Sequence, residues 1–301
     1  MKKLLSLVLA LLMIAGAASA LASCGKKNKG VKVIDIELTE EEYAFAVQKG
    51  DSALLQQIND FMAEIKVDGT FEAIINKYFG DGTPEAVKSA STMKTDGSQL
   101  IVATNAAFEP FEYMVGENYY GVDMEIMALF AKKIGKELYI NNMEFDAVCL
   151  SVSAAGGTYE DEDGKTQTVA GGTCNIAAAG LTVNDTRKQI LDFSTSYYNA
   201  AQMLIVAEGD TTFDACKTAE DVEKILKGFD NKVSIGVQNG TTGQKYCEGD
   251  ADWGFDGFGF KTVGYANGAL AVQNILNGNV KYVVIDEGPA KAIVKNVNAA
   301  N

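Results

Sequence analysis

Three places in this sequence put unusual polar residues at the ends of apolar, strand-like runs. The first, "TNAAFEPFEYM" (104–114), carries Asn105, Phe108 and Phe111 around Pro110. Two aromatics on a loop after a strand either plug a core or wall a small-ligand cleft. The second, "AAAGLTVNDTRKQILDFSTSYY" (177–198), leads from small residues through Gly180 and Thr182 to Arg187. Small residues let a ligand approach the backbone, and an arginine offers two parallel donors to a carboxylate. Within "TRK", taken by itself, Arg187 better suits a solvated surface. The third place is split. "IGVQNGTTGQKY" (235–246) sets a glycine-rich turn between a strand and a helix, where amides can cup an anion. "YVVIDEGPAKAI" (282–293) ends an apolar strand on Asp286, ahead of a helix with Pro289 in its first turn. An acid, an arginine and hydroxyls around an aromatic cleft describe a site for a zwitterion.

Composition removes several other chemistries. The chain has no histidine, so Ser-His-Asp and Cys-His nucleophiles and the commonest transition-metal ligand are excluded. A formal net charge of −14 repels nucleic acid. Besides Cys24 there are Cys149, Cys174, Cys216 and Cys247. Their spacing has no C-x-x-C pair, which argues against zinc. In an exported chain they permit two disulfides, expected as Cys149–Cys174 and Cys216–Cys247, with buried free thiols as the alternative. No cofactor is expected.

These residues need a scaffold, and the sequence alternates strand-like and helix-like segments, as an α/β fold of largely parallel sheets does. "LIVATN" (100–105), "ELYINNM" (137–143), "CNIAAAGLT" (174–182), "KVSIGVQ" (232–238) and "VKYVVID" (280–286) read as strands. "GVDMEIMALFAKKIGK" (121–136), "DAVCLSVSAA" (146–155) and "GALAVQNILNG" (268–278) read as helices. "GDGTPEAVKSASTMKTDGSQ" (80–99) has no apolar period and reads as a linker. "GGTYEDEDGKTQTVAGG" (156–172) reads as a solvated hairpin, expected at a sheet edge away from the ligand. Its acidic run does not fit a calcium loop, because positions one and twelve would be Tyr159 and Ala170.

Residues 1–23 carry Lys2 and Lys3, an apolar core and then small residues, the pattern of an export signal. Leu21-Ala22-Ser23-Cys24 resembles the lipobox of bacterial lipoproteins, in which the cysteine is lipidated and becomes the new N-terminus. The alternative is an ordinary signal cut after Ala20 or Ala22. A lipid at Cys24, followed by the tether 24–30, would fix the protein to a membrane surface without spanning it.

The stretches "ATNAAFEPFEYM", "YYGVDMEIMALFAKKIGKEL", "GLTVNDTRKQILDFSTSYY", "GVQNGTTG" and "VIDEGPA" resemble the polar amino-acid-binding proteins of ABC uptake transporters. The resemblance runs over nearly all of 31–301. It implies a two-lobed, periplasmic-binding-protein (Venus flytrap) α/β fold with the ligand in the cleft. By position, Arg187, Thr182 and the Gly180 backbone would hold an amino acid's α-carboxylate with help from the Thr241 and Thr242 amides. Asp286 would take the α-ammonium, Phe108 and Phe111 would flank the side chain, and Asn105 would read it; a neutral amide there argues against a basic ligand. The partner implied is an ABC transporter permease.

One departure stands out. Residues 31–82 look like the end of such a protein, yet they lie at the start. The order reads as a circular permutation: 31–40 a strand of the second lobe, 41–80 and 99–197 the first lobe, 81–98 the join between the family's usual termini, and 198–301 the second lobe. The join is long enough, at ~60 Å extended, to link two termini on one lobe. A domain-swapped dimer is the alternative, a monomer the expectation. The functional expectation is a lipid-anchored binding protein that delivers a free amino acid to a permease. Its rivals are an exported dehydratase or lyase of the same fold, with Glu109 or Glu112 as its acid or base, and a ligand sensor that docks on a receptor.

Overall fold

The computed structural model describes residues 30–161 and 163–300. The signal segment, Cys24 and the tether up to residue 29 lie outside them. The described residues form two α/β lobes, each built on a five-stranded mixed sheet.

The first lobe's sheet runs in the order Leu191–Phe193, Ala46–Gln48, Ile176–Ala177, Gln99–Thr104, Glu137–Asn142. The last three strands are parallel, and Ala46–Gln48 runs antiparallel to both its neighbours. Gln99–Thr104 is buried at all six positions, as expected of a central strand covered on both faces. Its alternate residues serve two cores. Leu100 and Val102 pack with Ile126, Met127 and Phe130 of the helix Val122–Lys133. Ile101 and Ala103 pack with Val148 and Val152 of the helix Phe145–Val152. The helix Ser52–Val67 joins this lobe through Ile58, Phe61, Met62 and Ile65, one face at helical spacing, and its N-terminus is capped by the Asp51 carboxylate.

The second lobe's sheet runs Val31–Ile34, Gln202–Ala207, Tyr282–Asp286, Ser234–Gln238, Lys261–Tyr265. Val31–Ile34 is an antiparallel edge strand on Gln202–Ala207, with Val31 and Ile34 buried. The Asn298 side chain, on the C-terminal helix, clasps this edge. Its Oδ1 accepts from the Val31 N–H at 3.0 Å and its Nδ2 donates to the Val31 carbonyl at 2.8 Å.

Between the lobes, Glu41–Tyr43 and Tyr198–Ala200 pair antiparallel as a two-stranded ribbon. The segment 80–99 does not hang free. Val87 exchanges both backbone hydrogen bonds with Tyr119, and the Ala90 N–H donates to the Leu138 carbonyl, so it lies along the outer edge of the first lobe.

Two expectations are corrected. The four described cysteines are free thiols rather than the pairs Cys149–Cys174 and Cys216–Cys247. The Cys149 thiol lies within hydrogen-bonding reach of Arg187, and the Cys174 sulfur accepts from the Asn141 amide at 3.4 Å. Cys216 and Cys247 pack as small apolar groups in the second lobe's core. The hairpin, Gly157–Glu160 with Thr166–Val169, is its own two-stranded sheet and not an extension of the five-stranded edge. Asp161 fixes its turn by accepting from the Asp163 and Lys165 N–H groups and from the Gln167 amide. Its Tyr159 lies in the field of Glu144 and Asp146, at the start of the helix that carries Phe145.

Candidate functional site

Arg187 comes from the short helix Asp185–Lys188, whose start is capped by the Asn184 side chain accepting from the Arg187 N–H. It is 7% exposed. Nη1 donates to the Thr182 carbonyl at 2.8 Å, and Nη2 crosses between the lobes to the Gly240 carbonyl at 3.3 Å. The guanidinium lies 5.0 Å from the ring centre of Trp253 and 5.5 Å from that of Phe145. Trp253, the chain's single tryptophan, reaches it from the second lobe. Arg187 is therefore stacked and hydrogen-bonded, but it belongs to none of the ion pairs among the described residues.

Thr182 sits opposite Tyr43 in an antiparallel bridge. The bridge is made by Ala44 N–H to the Leu181 carbonyl and Val183 N–H to the Glu42 carbonyl. In that register the N–H of Thr182 itself points away from the pair. Its hydroxyl donates to Glu41 Oε2 at 2.7 Å and receives the Thr242 hydroxyl at 3.2 Å from the other lobe. Thr241 caps the helix Thr242–Glu248 by accepting from the Gln244 N–H. Gly180 takes φ +51° and lies against the Phe108 ring, leaving no room for a Cβ. Its N–H is engaged by the Asp123 carboxyl at 3.0 Å.

Asp286 ends the strand Tyr282–Asp286 and is 3% exposed. One oxygen accepts the Tyr43 hydroxyl at 2.5 Å. Burial pushes its carboxyl up to about 7, and the nearby charge of Glu41 adds to this against hydrogen bonds from Tyr43 and Gln202. Gln202, paired in register with Asp286, donates to Glu41 Oε1 at 2.9 Å. Neither Asp286 nor Glu41 belongs to an ion pair among the described residues. A cavity of about 640 Å³ beside the hinge reaches Glu41 and Thr182, and Glu37, Glu40, Glu42 and Glu287 also line it.

Asn105 meets the second lobe at Gln238, whose Nε2 donates to Asn105 Oδ1 at 3.0 Å. Phe111 is fully buried in an aromatic group with Tyr43, Phe79 and Tyr198, so it forms the plug rather than a cleft wall. Across the lobes it sits against Gly288, where a Cβ would stand 2.9 Å from its ring. Phe108, also buried, lies nearer the site, over Gly180.

The structure thus brings Asn105, Phe108, Gly180, Thr182, Arg187, Thr242 and Asp286 to one seam between the lobes, with Thr241 framing it. Five further residues there escaped the sequence reading: Glu41, Tyr43, Gln202, Gln238 and Trp253. Gln202 and Gln238 carried a usable signal, a polar residue at the terminus of an apolar strand: Gln238 closes its strand as Asp286 does, and Gln202 opens the antiparallel one beside Asp286. Glu41 and Tyr43 did not, since they lie 141 and 243 positions from their partners Thr182 and Asp286. The chemistry of the seam is that of opposed charges. A buried cation from the first lobe and a buried acid from the second face one another's lobe without ion-pairing. Isolated buried charge is costly, so such a pair suits an occupant that carries both opposite charges.

Two lobes joined by a ribbon, with polar groups of both closing on a common seam, define a two-lobed solute-binding protein. The chain belongs to the bacterial extracellular solute-binding proteins, family 3, which it matches over residues 11–81, 100–155 and 159–296. Among curated relatives it is 27% identical over 208 residues to the arginine-binding extracellular protein ArtP of Bacillus subtilis, covering 69% of each chain. It is 25% identical over 222 residues to a "Probable histidine-binding protein" of Neisseria gonorrhoeae, covering 72% of this chain and 68% of that one. Among solved structures it is similar to an ancestral arginine-binding protein bound to arginine. The TM-score is 0.51 with 28% identity, over 66% of this chain and 74% of the other.

Proposed function

We propose that this protein captures a free α-amino acid between its lobes and hands it to an ABC transporter permease. The observation that carries the reading is the opposed, unpaired charge: buried Arg187 on one side, buried Asp286 with Glu41 on the other. An α-carboxylate would replace the Gly240 carbonyl at Arg187 and take the Thr182 and Thr242 groups. An α-ammonium would enter between Asp286 and Glu41. The acidic rim of the hinge-side cavity favours approach by the ammonium end. Closure is then a balance between lobe–lobe contacts and ligand contacts made by both lobes at once.

Membership of the solute-binding family and the names of its relatives favour binding over catalysis. So do the two acids a lyase would have needed. Glu112 is wholly buried, and Glu109 accepts from Asn296 at 2.9 Å on the exterior.

The layout we propose is a permuted one. The strand Val31–Ile34 and the C-terminal helix are neighbours through Asn298, the helices Ser52–Val67 and Thr70–Phe79 serve the first lobe, and the family match skips 82–99. A lipid on Cys24 would then tether the second lobe within ~20 Å of the membrane.

The test is a thermal-shift panel of the twenty L-amino acids, with cystine and ornithine, on protein unfolded and refolded to strip carried-over ligand. A ligand at 100 times its Kd stabilises by about 2.7 kcal/mol, a shift of several degrees. One or a few hits, lost in Arg187→Ala, are expected. A flat panel would sink the amino-acid reading.

A further inference from the structure

The first lobe's sheet ends on the strand Glu137–Asn142. The Glu137 N–H donates inward to the Ser98 carbonyl, and the Met143 N–H to the Thr104 carbonyl. Bonding alternates along a parallel pair, so Leu138 and Ile140, which lie between, turn their backbone groups outward. The strand is six residues long, holds no proline or lysine, and buries its Leu138 and Ile140 side chains. Such an edge is a template for another extended chain unless something covers it.

The segment 86–91 covers it, and does so incompletely. The Ala90 N–H donates to the Leu138 carbonyl at 2.8 Å, and the Ser89 hydroxyl accepts from the Ile140 N–H at 2.9 Å. The Leu138 N–H and the Ile140 carbonyl have no backbone partner among the described residues. The segment's anchor lies off the edge strand, where buried Val87 exchanges two backbone bonds with Tyr119. Two hollows border it, one of about 580 Å³ against Val87 and Leu138 and one of about 520 Å³ against Ser89 and Ile140. Residues 91–98, which follow it, are exposed throughout.

The edge beneath is complementary to itself. Two copies placed antiparallel about a two-fold axis at Tyr139 set Leu138 of one opposite Ile140 of the other. The outward N–H and carbonyl groups of both residues then all pair across the axis. Glu137 falls opposite Asn141 and Lys136 opposite Asn142, so no like charges meet.

We infer that the segment 86–91 is a displaceable cover over a self-pairing edge, and that the partner this edge fits is a second copy of the chain. Lifting the cover gives up one backbone bond and one side-chain bond per copy at the edge. The pairing that replaces it satisfies every outward backbone group of Leu138 and Ile140. With the cover seated the chain stays single; with it lifted, two first lobes join into one continuous sheet. None of this involves the seam between the lobes, so the inference stands apart from the amino-acid reading.

Sedimentation velocity and amide hydrogen exchange test this on the native chain and on the double variant Val87→Ser, Ala90→Pro. The first change weakens the apolar anchor, and the second removes the N–H given to Leu138. At low concentration, exchange at Ile140 should quicken at least about tenfold, the worth of roughly one hydrogen bond. As concentration rises, the variant should associate at least about tenfold more tightly than the native chain. Adding Tyr139→Lys sets two lysines face to face at the two-fold axis and should restore the monomer. A native chain nicked at a protease site inserted between Met93 and Lys94 leaves 86–91 unaltered; it should dimerise likewise, and it carries the test if the double variant fails to fold. A chain that stays monomeric although Ile140 exchanges fast overturns the inference. So does unchanged exchange at Ile140 in both the variant and the nicked chain, and so does a dimer that Tyr139→Lys leaves intact.

Discussion

The Tyr43 hydroxyl donates to the Asp286 carboxyl at 2.5 Å across 243 positions of sequence, joining the hinge ribbon to the floor of the second lobe. Tyr43 is itself fully buried and packs edge-on against Phe111 at 5.0 Å. The acid proposed to take the ligand's ammonium is therefore held by the ribbon that joins the lobes, so in that binding mode ligand charge and ribbon geometry are linked through one hydrogen bond.

That link gives binding a pH dependence. Burial raises Asp286 to about 7, so below neutrality it is largely protonated and pairs poorly with an ammonium. An amino acid's ammonium stays charged throughout this range. Affinity should rise as pH climbs from 5.5 to 7.5, by up to about tenfold per pH unit below the carboxyl's own value, and then level off. Calorimetry in buffers of differing ionisation enthalpy should show proton release on binding near pH 6. In Asp286→Asn both the slope and the release should vanish.

Arg187 and Trp253 give a second expectation. The stacked guanidinium at 5.0 Å places the chain's single tryptophan at the lobe–lobe seam, so intrinsic fluorescence should change on ligand addition. Arg187→Lys keeps the charge but loses the planar fork that grips a carboxylate. It should weaken binding by roughly 100-fold, of order 2–3 kcal/mol, and shift the emission of the unliganded protein. A spectrum that is the same with and without saturating ligand would place Trp253 away from the moving seam.

Stability should have its own pH signature. Glu112 is fully buried, has no hydrogen-bond partner for either oxygen among the described residues, and is pushed well above the carboxylate range by burial and then by Asp123 and Asp286. Burial raises Asp123 to about 7 despite hydrogen bonds from Tyr197 and the Gly180 N–H. A raised acid binds more protons folded than unfolded. The stability it confers is complete below about pH 4 and is lost as pH rises through its folded value. Unliganded protein should lose stability between pH 5 and 8, at up to ~1.4 kcal/mol per pH unit for each such proton. Glu112→Gln should flatten the slope, as followed by urea denaturation at several pH values.

The permuted layout predicts that order along the chain is interchangeable. A chain rearranged as 99–300 followed by 31–80, with a short Gly/Ser join, should fold and bind as the native order does. Its Tm should be lower, since besides the change in loop-closure entropy it loses buried Val87 and the backbone hydrogen bonds of the removed segment to Tyr119 and Leu138. A truncation beginning at residue 38 should unfold, having lost the edge strand with buried Val31 and Ile34. If the rearranged chain fails to fold, the proposed layout is wrong.

The sequence by itself determined the elements. Periodicity gave the strands ending at Thr104, Gln238 and Asp286 and the helices Val122–Lys133 and Gly268–Asn277, to within a few residues. These patterns arise from burial of one face or stripe, which is local and periodic. Motif likeness pointed to Arg187, Thr182 and Asp286, which the fold brings to one seam. Tertiary structure alone decided the rest. The four thiols were free to pair by count, but their partners in space are Arg187, Asn141 and apolar core. Phe111 could have been plug or cleft wall and is a plug, because Tyr43, Phe79 and Tyr198 converge on it from three other segments. Glu41, Tyr43 and Trp253 enter the site from segments remote in sequence, and no local pattern can register a contact that exists only once two lobes close on each other.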